Sequence, residues 1–315
     1  MSCGRGSRED VSASDSRMRS NPAIASPSQR DASVASVVIP AHNEAAVLGR
    51  LLHRLGVAGE GNRLQVVVAC NGCTDGTAEI ARAAGATVVE VDTPSKIAAL
   101  NAGDRAAVAF PRLYIDADVE VSSTTIRDLI AALALPGVLC AAPRFNVRLA
   151  GCSWIVRAYY AIWTRLPHLK EGYVGSGIYA LTATGRARFD AFPDVIADDK
   201  YVRDTFARAE RLVVETEPFV ISAPRTISAL FRRRIRIDLG NLELSSHPVF
   251  RRLPGAMEQS PGAWNVIAVN PLLIPHFIVY MLVNLMARRA ARRRLRGKSK
   301  GDWGRDNTTR SVSAL

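Results

Sequence analysis

The stretch VASVVIPAHNEAAVLGRLLHRLGVAGEGNRLQVVVA, residues 34–69, decides the fold of this 315-residue chain. An apolar, β-branched run at residues 34–39 predicts a strand, and a second run at residues 64–69 predicts another. Between them, apolar side chains recur at helical spacing from Val47 to Leu55 and predict a helix. The stretch is therefore a strand, helix, strand unit, which is typical of parallel sheets covered by helices.

The same alternation continues along the chain. It predicts helices at residues 77–84, 95–110 and 124–134, and strands at residues 87–91, 113–115 and 138–142. We therefore expect an α/β fold with a mostly parallel, Rossmann-like sheet flanked by helices, whose ligands bind beyond the carboxyl ends of the strands. No GxGxxG or GxxxxGK[ST] motif follows these strands, which argues against a dinucleotide dehydrogenase and a P-loop NTPase.

Polar turns follow three of the predicted strands. Asn43 and Glu44 stand where the first helix begins, beside backbone N–H groups that can receive an anion, and Pro40 is expected to stop the strand before them. The second strand ends in CNGCTDGT, residues 70–77, a turn that holds two glycines. Because the carboxyl ends of parallel strands meet at one edge of the sheet, a nucleotide is expected to lie there.

The third polar turn carries two acids, Asp116 and Asp118, directly after the apolar run at residues 113–115. Since side chains alternate along an extended chain, the two carboxylates are predicted to point to the same side, where they repel each other unless a cation joins them. Mg²⁺ or Mn²⁺ takes one or two carboxylates together with the phosphates of a substrate. A solvated strand end is the alternative, because DxD alone is a short and common pattern.

Five motifs follow one another along the chain: VVIPAHNE (residues 37–44), CNGCTDGT (70–77), SKIAALNAG (95–103), DADVE (116–120) and ADDKYV (197–202). In this order they resemble the family 2 glycosyltransferases, which are inverting enzymes of the GT-A fold. The resemblance covers about residues 34–240. It implies a nucleotide-diphospho-sugar transferase fold and transfer of a sugar from a nucleotide-sugar donor.

The resemblance also implies roles for individual residues. The nucleotide-sugar contacts would come from Pro40, Ala41, Asn43, Glu44, Asn71, Lys96, Asn101 and Asp116. Asp118 would hold Mg²⁺ or Mn²⁺ with Asp116 on the ribose or sugar side, and Asp199 would be the catalytic base with Asp198 as its rival. The acceptor-facing turn would be GYVGSGIYAL, residues 172–181, in which the small residues Gly175, Ser176 and Gly177 let an acceptor approach the backbone.

Two departures from the family pattern narrow the function. Asn71 stands where many relatives carry an aspartate that bonds the nucleobase, and since an amide both donates and accepts, the identity of the base stays open. FRRRIR, residues 231–236, stands where processive relatives carry QxxRW, but the Gln and the Trp are absent. The sequence therefore favours transfer of a single sugar over processive polymerisation.

The positive charge is concentrated at the C-terminus. The chain holds 41 Lys and Arg against 29 Asp and Glu, a net charge of +12, and residues 288–315 hold ten basic residues and two acidic ones. The positive and negative charges of residues 34–287 are consequently nearly balanced. A Ser-rich stretch at residues 1–33 is predicted to be a disordered leader, because it has no apolar run long enough for a core or a signal peptide.

An uncharged segment precedes the basic tail. Residues 259–287 contain no Asp, Glu, Lys or Arg, and residues 266–286 are long enough to span a bilayer, although Pro271 and Pro275 interrupt them. The basic cluster and the catalytic body should both be cytoplasmic, which a single span would prevent. We therefore expect the segment to break near Pro275 and re-enter the membrane, or to lie in the interface. A buried core helix with a solvated basic tail is the alternative.

These observations predict four segments. They are a leader (residues 1–33), a GT-A domain (34–240, with a nucleotide-sugar half at 34–142 and an acceptor half at 143–240), a membrane-associated segment (241–287) and a basic tail (288–315). The predicted function is inverting transfer of one sugar to a lipid-linked or apolar acceptor at the cytoplasmic face of the membrane. The alternatives are a nucleotidyltransferase of the same fold, or a non-catalytic protein that binds anionic membranes or nucleic acid through the tail.

Overall fold

The structure is a computed structural model that describes residues 34–57, 63–169, 174–175, 177–248, 250, 253–257 and 262–296. The predicted leader and the last part of the predicted basic tail, residues 297–315, lie outside the described residues.

Seven strands form one sheet. They are β1 (Ala35–Ala41), β2 (Leu64–Asn71), β3 (Thr87–Val91), β4 (Arg112–Ile115), β5 (Cys140–Arg148), β6 (Ile178–Leu181) and β7 (Arg211–Ser222). Their order across the sheet is β3-β2-β1-β4-β6-β5-β7. β6 is antiparallel to both of its neighbours, and every other adjacent pair is parallel. The predicted mostly parallel sheet is confirmed, although the sequence patterns had not indicated β6 or β7.

Helices cover both faces of this sheet. They are α1 (Ala45–Arg54), α2 (Thr77–Ala83), α3 (Lys96–Ala106), α4 (Ser123–Ala132), α5 (Trp154–Trp163), α6 (Ala183–Arg186), α7 (Asp198–Thr205), α8 (Ile227–Ser246), α9 (Trp264–Val269) and α10 (Ile274–Arg296). One buried cluster joins the sheet to α1, α2 and α4, and a second joins its other face to α3 and α7. The predicted helix at residues 95–110 is shorter than expected, and Ser95 caps its start by accepting a hydrogen bond from the Ala98 N–H at 3.2 Å.

We expected Pro40 to stop the first strand, but it does not. β1 continues through Pro40 and Ala41, which pair with β2. The ladder from β1 to β4 ends at Val38, and the Ser36 N–H points to that side, where it donates to the Pro111 carbonyl at 3.1 Å. Because N–H directions alternate along a strand, the N–H that proline lacks would face β4 beyond the end of the ladder, so no sheet hydrogen bond is lost.

The C-terminal helices pack on the rest of the fold. Val283 of α10 lies in one buried cluster with residues of α5 and α8, and Ala287 and Ala291 lie in another with Ile235 of α8. The chain breaks at a short 3-10 helix, Pro271–Leu273, and Pro275 lies in the first turn of α10. The boundaries predicted at 240/241 and 287/288 consequently fall inside α8 and α10. By length and composition alone, Pro271–Arg296 could cross a membrane, which is weak evidence of a span.

Candidate functional site

Two turns meet at the carboxyl ends of β1 and β2. Asn43 adopts a left-handed backbone conformation (φ 54°), which asparagine tolerates better than most residues, and its Oδ1 accepts a hydrogen bond from the Thr74 N–H at 2.7 Å. The side chain of Asn71 is buried and donates from Nδ2 to the Ala41 carbonyl at 2.9 Å. Asn43 and Asn71 thus fix one turn against the other, beside the predicted contacts Pro40, Ala41 and Glu44.

The first backbone N–H groups of α1 are already bonded within the protein. Glu44 N–H donates to the Thr77 hydroxyl at 2.9 Å, and Ala45 N–H donates to the Asp75 carboxylate at 3.2 Å. The expectation that Asn43 and Glu44 open an anion site at this helix start is therefore wrong for these two N–H groups, because side chains of the second turn take them. Sequence reasoning missed that Thr77 and Asp75 accept these two N–H groups, because both bonds join turns that lie about thirty residues apart in the sequence.

Asp75 also binds the start of α2, where it accepts from the Thr77 N–H at 3.1 Å and from the Thr77 hydroxyl. Burial alone would raise the pKa of the Asp75 carboxyl, but the hydrogen bonds from Thr77 and Ala45 outweigh it and hold that pKa below its usual range. Asp75 therefore stays ionised at neutral pH and ties the start of α1 to the start of α2.

Lys96 joins two predicted motifs, DADVE and ADDKYV, whose acids Asp116 and Asp198 lie 82 residues apart in the sequence. Its Nζ lies 2.9 Å from Asp116 Oδ1 and 3.1 Å from Asp198 Oδ2. Burial would lower the pKa of this ammonium, but the two carboxylates more than offset it and raise the pKa above its usual range. Lys96 is thus positively charged at neutral pH and holds Asp116 and Asp198 together.

Asp116 and Asp118 lie in a turn and not in extended chain. The Val119 N–H donates to the Asp116 carbonyl at 3.0 Å, and β4 ends before both acids. The alternation argument that predicted two carboxylates on one side therefore does not apply. Asp116 is half-buried and Asp118 is exposed. Burial raises the pKa of Asp116 and the charge of Asp118 acts in the same direction, while Lys96 opposes them.

The turn predicted to face the acceptor lies against Asp116. Gly177 has a φ of 93°, and a Cβ there would lie 2.9 Å from Val119 Cγ2 and 3.1 Å from Asp116 Oδ2. Its carbonyl accepts from the Asp116 N–H at 2.8 Å. Glycine is needed at this position for both conformation and space. Gly175 forms an isolated bridge with Ile178, and Ser176 lies outside the described residues.

The two acids of ADDKYV have different environments at the start of α7. Asp198 is buried, with 5% of its surface exposed, and burial raises its pKa to about 6, with Asp199 and Asp116 adding to this effect and Lys96 opposing it. Asp199 is half-exposed and accepts from the Lys200 N–H at 2.7 Å. Only Asp199 of the pair is therefore open enough to meet an incoming acceptor directly.

Asn101 bonds protein backbone in this structure. Its Nδ2 donates to the Phe192 carbonyl at 3.0 Å, and its Oδ1 accepts from the Phe192 N–H at 2.8 Å. Both polar ends of the amide are thus used to hold the segment that leads into α7. A contact between Asn101 and a nucleotide sugar stays a prediction.

The acids present fit a hard divalent cation. Within the described part of the chain, no three His, Cys, Asp or Glu side chains converge into a complete metal site. Asp118 and Asp116 supply the one or two carboxylates that Mg²⁺ or Mn²⁺ typically takes when substrate phosphates and water complete its shell. Like charge from Asp118 already raises the pKa of Asp116, and a cation between them would relieve that repulsion.

Comparison with known proteins agrees with this geometry on family and fold. Residues 36–190 match the family model described as glycosyl transferase family 2. The chain is similar to the mannosyltransferase PcManGT from Pyrobaculum calidifontis in complex with GDP-Man and Mn²⁺, at 21% identity and a TM-score of 0.56, over 86% of this chain and 76% of that one. This likeness confirms the predicted fold class.

Two further solved structures are less similar. S. aureus TarS 1-349 has 15% identity and a TM-score of 0.47, over 84% of this chain and 91% of that one. Glucosyl-3-phosphoglycerate synthase from Mycobacterium tuberculosis, in complex with Mn²⁺, UDP-glucose and phosphoglyceric acid, has 23% identity and a TM-score of 0.42, over 56% and 66%. No curated protein matches the sequence.

Proposed function

Because this chain belongs to glycosyl transferase family 2 through residues 36–190, we propose that it is an inverting enzyme that moves one sugar from a nucleotide-sugar donor to a lipid-linked or apolar acceptor at the cytoplasmic face of the membrane. One observation carries the proposal. Lys96 holds Asp116 of the donor half and Asp198 of the acceptor half within hydrogen-bond distance of one ammonium group. Donor and acceptor chemistry therefore meet at a single point in the fold.

On the donor side, Asp118 and Asp116 would hold Mg²⁺ or Mn²⁺, which supplies neutralisation of the diphosphate that leaves. Lys96 adds a fixed positive charge at the same place, since the pKa of its ammonium is raised. PcManGT, solved in complex with GDP-Man and Mn²⁺, supports a nucleotide-sugar donor and a divalent cation for this chain as well. The nucleobase stays open, because Asn71 offers an amide at the predicted base contact.

On the acceptor side, Asp199 is our choice for the base. It is half-exposed at the start of α7, whereas Asp198 is buried and paired with Lys96. Asp199 would remove the acceptor hydroxyl proton as the oxygen attacks the sugar carbon opposite the leaving diphosphate. A single displacement of this kind inverts the anomeric centre.

The test is transfer or hydrolysis from a panel of UDP-glucose, UDP-galactose and GDP-mannose, with Mn²⁺ or Mg²⁺ and with a chelator. We expect turnover that requires the cation and is lost in Asp118→Ala and in Asp199→Asn, while Asp194→Asn, which changes an exposed acid, keeps it. The product anomer should be opposite to that of the donor. Turnover that survives both substitutions, or no turnover with any donor, would overturn the proposal.

The outer face of α10 supports a membrane-bound acceptor. Its exposed apolar side chains are Ile274, Ile278, Met281, Leu282, Leu285 and Met286, and Trp264 and Leu272 are exposed just before them. Six exposed arginines follow on the same helix, at positions 288, 289, 292, 293, 294 and 296. An apolar face next to a basic end is typical of helices that lie in an anionic lipid interface.

The opposite face of α10 supports an in-plane position over a span. Val283, Ala287 and Ala291 are buried against α5 and α8, and Tyr159 of α5 donates its hydroxyl to Asn284 Oδ1 at 3.4 Å. A helix that crossed the bilayer would have to leave these contacts. We therefore favour the interfacial version of the predicted attachment over a re-entrant segment.

Vesicle sedimentation tests the attachment. The protein should bind vesicles containing phosphatidylserine more tightly than neutral ones, and Met281→Glu with Leu285→Glu should weaken binding by about tenfold or more. Val108→Glu is the matched control, because Val108 is an exposed apolar residue away from α10 and its change should leave binding intact. Equal binding by all three proteins contradicts the lipid face. A protease-accessible tag after Leu315 on the outside of intact cells contradicts the cytoplasmic side.

A further inference from the structure

Two tyrosines stand side by side beneath the site. Tyr179 of β6 pairs with Tyr114 of β4, and their rings stack with centroids 5.0 Å apart. Both side chains are buried. The Tyr114 hydroxyl donates to Asp104 Oδ1 at 2.6 Å. The Tyr179 hydroxyl is also buried, but it has no hydrogen-bond partner among the residues that the structure describes.

An unpaired buried hydroxyl costs free energy, so its retention calls for a partner in another state of the protein. Tyr179 belongs to the buried cluster that joins the sheet to α3 and α7, and these two helices begin at Lys96 and Asp198. Burial raises the pKa of Tyr179 well above its usual range, and Asp198 contributes the largest effect among nearby charges. The phenol therefore stays protonated and can act only as a hydrogen-bond donor to a carboxylate, and it is buried in the same cluster as Tyr201 and Val202 of α7, the helix that Asp198 begins.

Asp198 is the acid whose ion pair with Lys96 a bound diphosphate would weaken. It is buried, and its Oδ2 depends on Lys96, which it shares with Asp116. A diphosphate that binds beside Asp116 attracts the same ammonium. If Lys96 turned towards it, Asp198 would be left as a buried carboxylate without a counter-charge, which is strongly unfavourable.

We propose that Tyr179 is a positioning residue for Asp198, and that its hydroxyl donates to the Asp198 carboxylate when a diphosphate draws Lys96 away. This inference rests on the proposed function for the identity of the ligand, whereas the buried, unpaired hydroxyl and the Lys96–Asp198 ion pair are features of the fold itself. Tyr179 would keep Asp198 ionised and in place beside Asp199 during turnover.

The first test needs no ligand, because Lys96→Met removes the ammonium directly. We would measure the unfolding equilibrium constant of four proteins by urea titration at mildly alkaline pH: the wild type, Tyr179→Phe, Lys96→Met and the double variant. Tyr179→Phe should change the constant by less than about twofold in the wild type, but raise it by about tenfold in the Lys96→Met background, where Asp198 depends on the hydroxyl.

Tyr114→Phe is the matched control for this cycle. It removes a hydroxyl whose partner, Asp104, lies outside the Lys96 cluster, so its cost should be equal in the two backgrounds. An equal cost of Tyr179→Phe in both backgrounds would overturn the proposal. If Lys96→Met does not fold, the kinetic test below decides.

The kinetic test uses the full chain with Mn²⁺ and whichever donor of the panel it turns over. Tyr179→Phe should lower kcat by about tenfold while the donor KM stays within about twofold, since the hydroxyl acts after the donor is bound. Tyr114→Phe should keep kcat at temperatures where it is folded. If the wild type is active and Tyr179→Phe has the same kcat, the tyrosine proposal is overturned and the proposed function stands. If the wild type turns over no donor, the proposed function is overturned, and the urea titrations of the four proteins test Tyr179.

Discussion

Replacement of Asp104 by alanine should destabilise the fold strongly. The Asp104 carboxylate is buried and accepts from Arg112 Nη1 at 2.7 Å, from the Tyr114 hydroxyl at 2.6 Å, and from Arg186 Nε and Nη2 at 3.0 and 2.7 Å. The side chains of Arg112 and Arg186 are only 13% and 11% exposed. Asp104→Ala would therefore leave two largely buried guanidinium groups without their shared counter-charge.

The size of the effect follows from that burial. Removing one partner of a buried ion pair typically costs about 3–5 kcal/mol, because the remaining charge is uncompensated. In a domain of this size, 1 kcal/mol shifts the melting temperature by roughly 2–4 °C, so a fall of about 6–20 °C is expected. Asp104→Asn should fall between the wild type and Asp104→Ala, because an amide oxygen still accepts but carries no charge.

Thermal unfolding followed by circular dichroism, with urea titration at fixed temperature, measures this loss. Asp194→Ala is the control, since it removes an exposed acid and should stay within about 0.5 kcal/mol of the wild type. A loss below about 1 kcal/mol in Asp104→Ala would refute the reasoning, because the two arginines would then not depend on this carboxylate.

Three further predictions concern the same part of the fold. The pKa of Asp104 is held below its usual range, because hydrogen bonds from Arg186, Tyr114 and Arg112 outweigh the effect of burial. The stabilisation that the ionised carboxylate gives the fold is therefore fully present above the unfolded pKa of about 3.9, and it is lost as the pH falls through the lower folded pKa. Urea titrations should show this acid loss below about pH 4 in the wild type and not in Asp104→Asn; identical acid profiles would contradict it. Gly177→Ala should lower the free energy of unfolding by about 1–3 kcal/mol and displace Asp116, and donor turnover equal to the wild type would contradict the close contact. Asn101→Leu should lower the free energy of unfolding in urea by about 1–3 kcal/mol, because it removes the hydrogen bonds to both backbone groups of Phe192. An unchanged free energy of unfolding would show that these two hydrogen bonds are dispensable.

The alternation of apolar runs was enough to predict the parallel strands β1 to β4, but not β7, which is parallel to β5. β1 to β4 and their helices have strong local periodicity, and strands buried in a parallel sheet carry long β-branched runs. β6 has four residues and follows a glycine-rich turn, so no local pattern separates it from the turn. The antiparallel direction of β6 depends on its pairing with two strands distant in sequence, which periodicity does not record.

The site was predictable by motif but not by contact. Lys96, Asp116 and Asp198 belong to three separate motifs, and only the folded chain brings the two carboxylates to the ammonium of Lys96. The roles of Asn101 and Asp75 were not predictable for the same reason. Each has a side chain suited to a ligand, but each is used by backbone groups of another segment. A residue type establishes what a side chain can bond, and tertiary structure decides which of its partners it meets.

β6 also determines when the middle of the sheet can be completed. It lies between β4 and β5 in the sheet but follows both in the chain, so neither strand has its partner at that position until residues 178–181 have been synthesised. During translation from the N-terminus, Lys96 and Asp116 can be set in the β1–β4 half while the edge of β4 is still open. A chain halted before β6 would expose that edge as a template for pairing with another chain. The four residues of β6 therefore close the edge of β4, and we expect a nascent chain to be more prone to aggregation before they are synthesised than after.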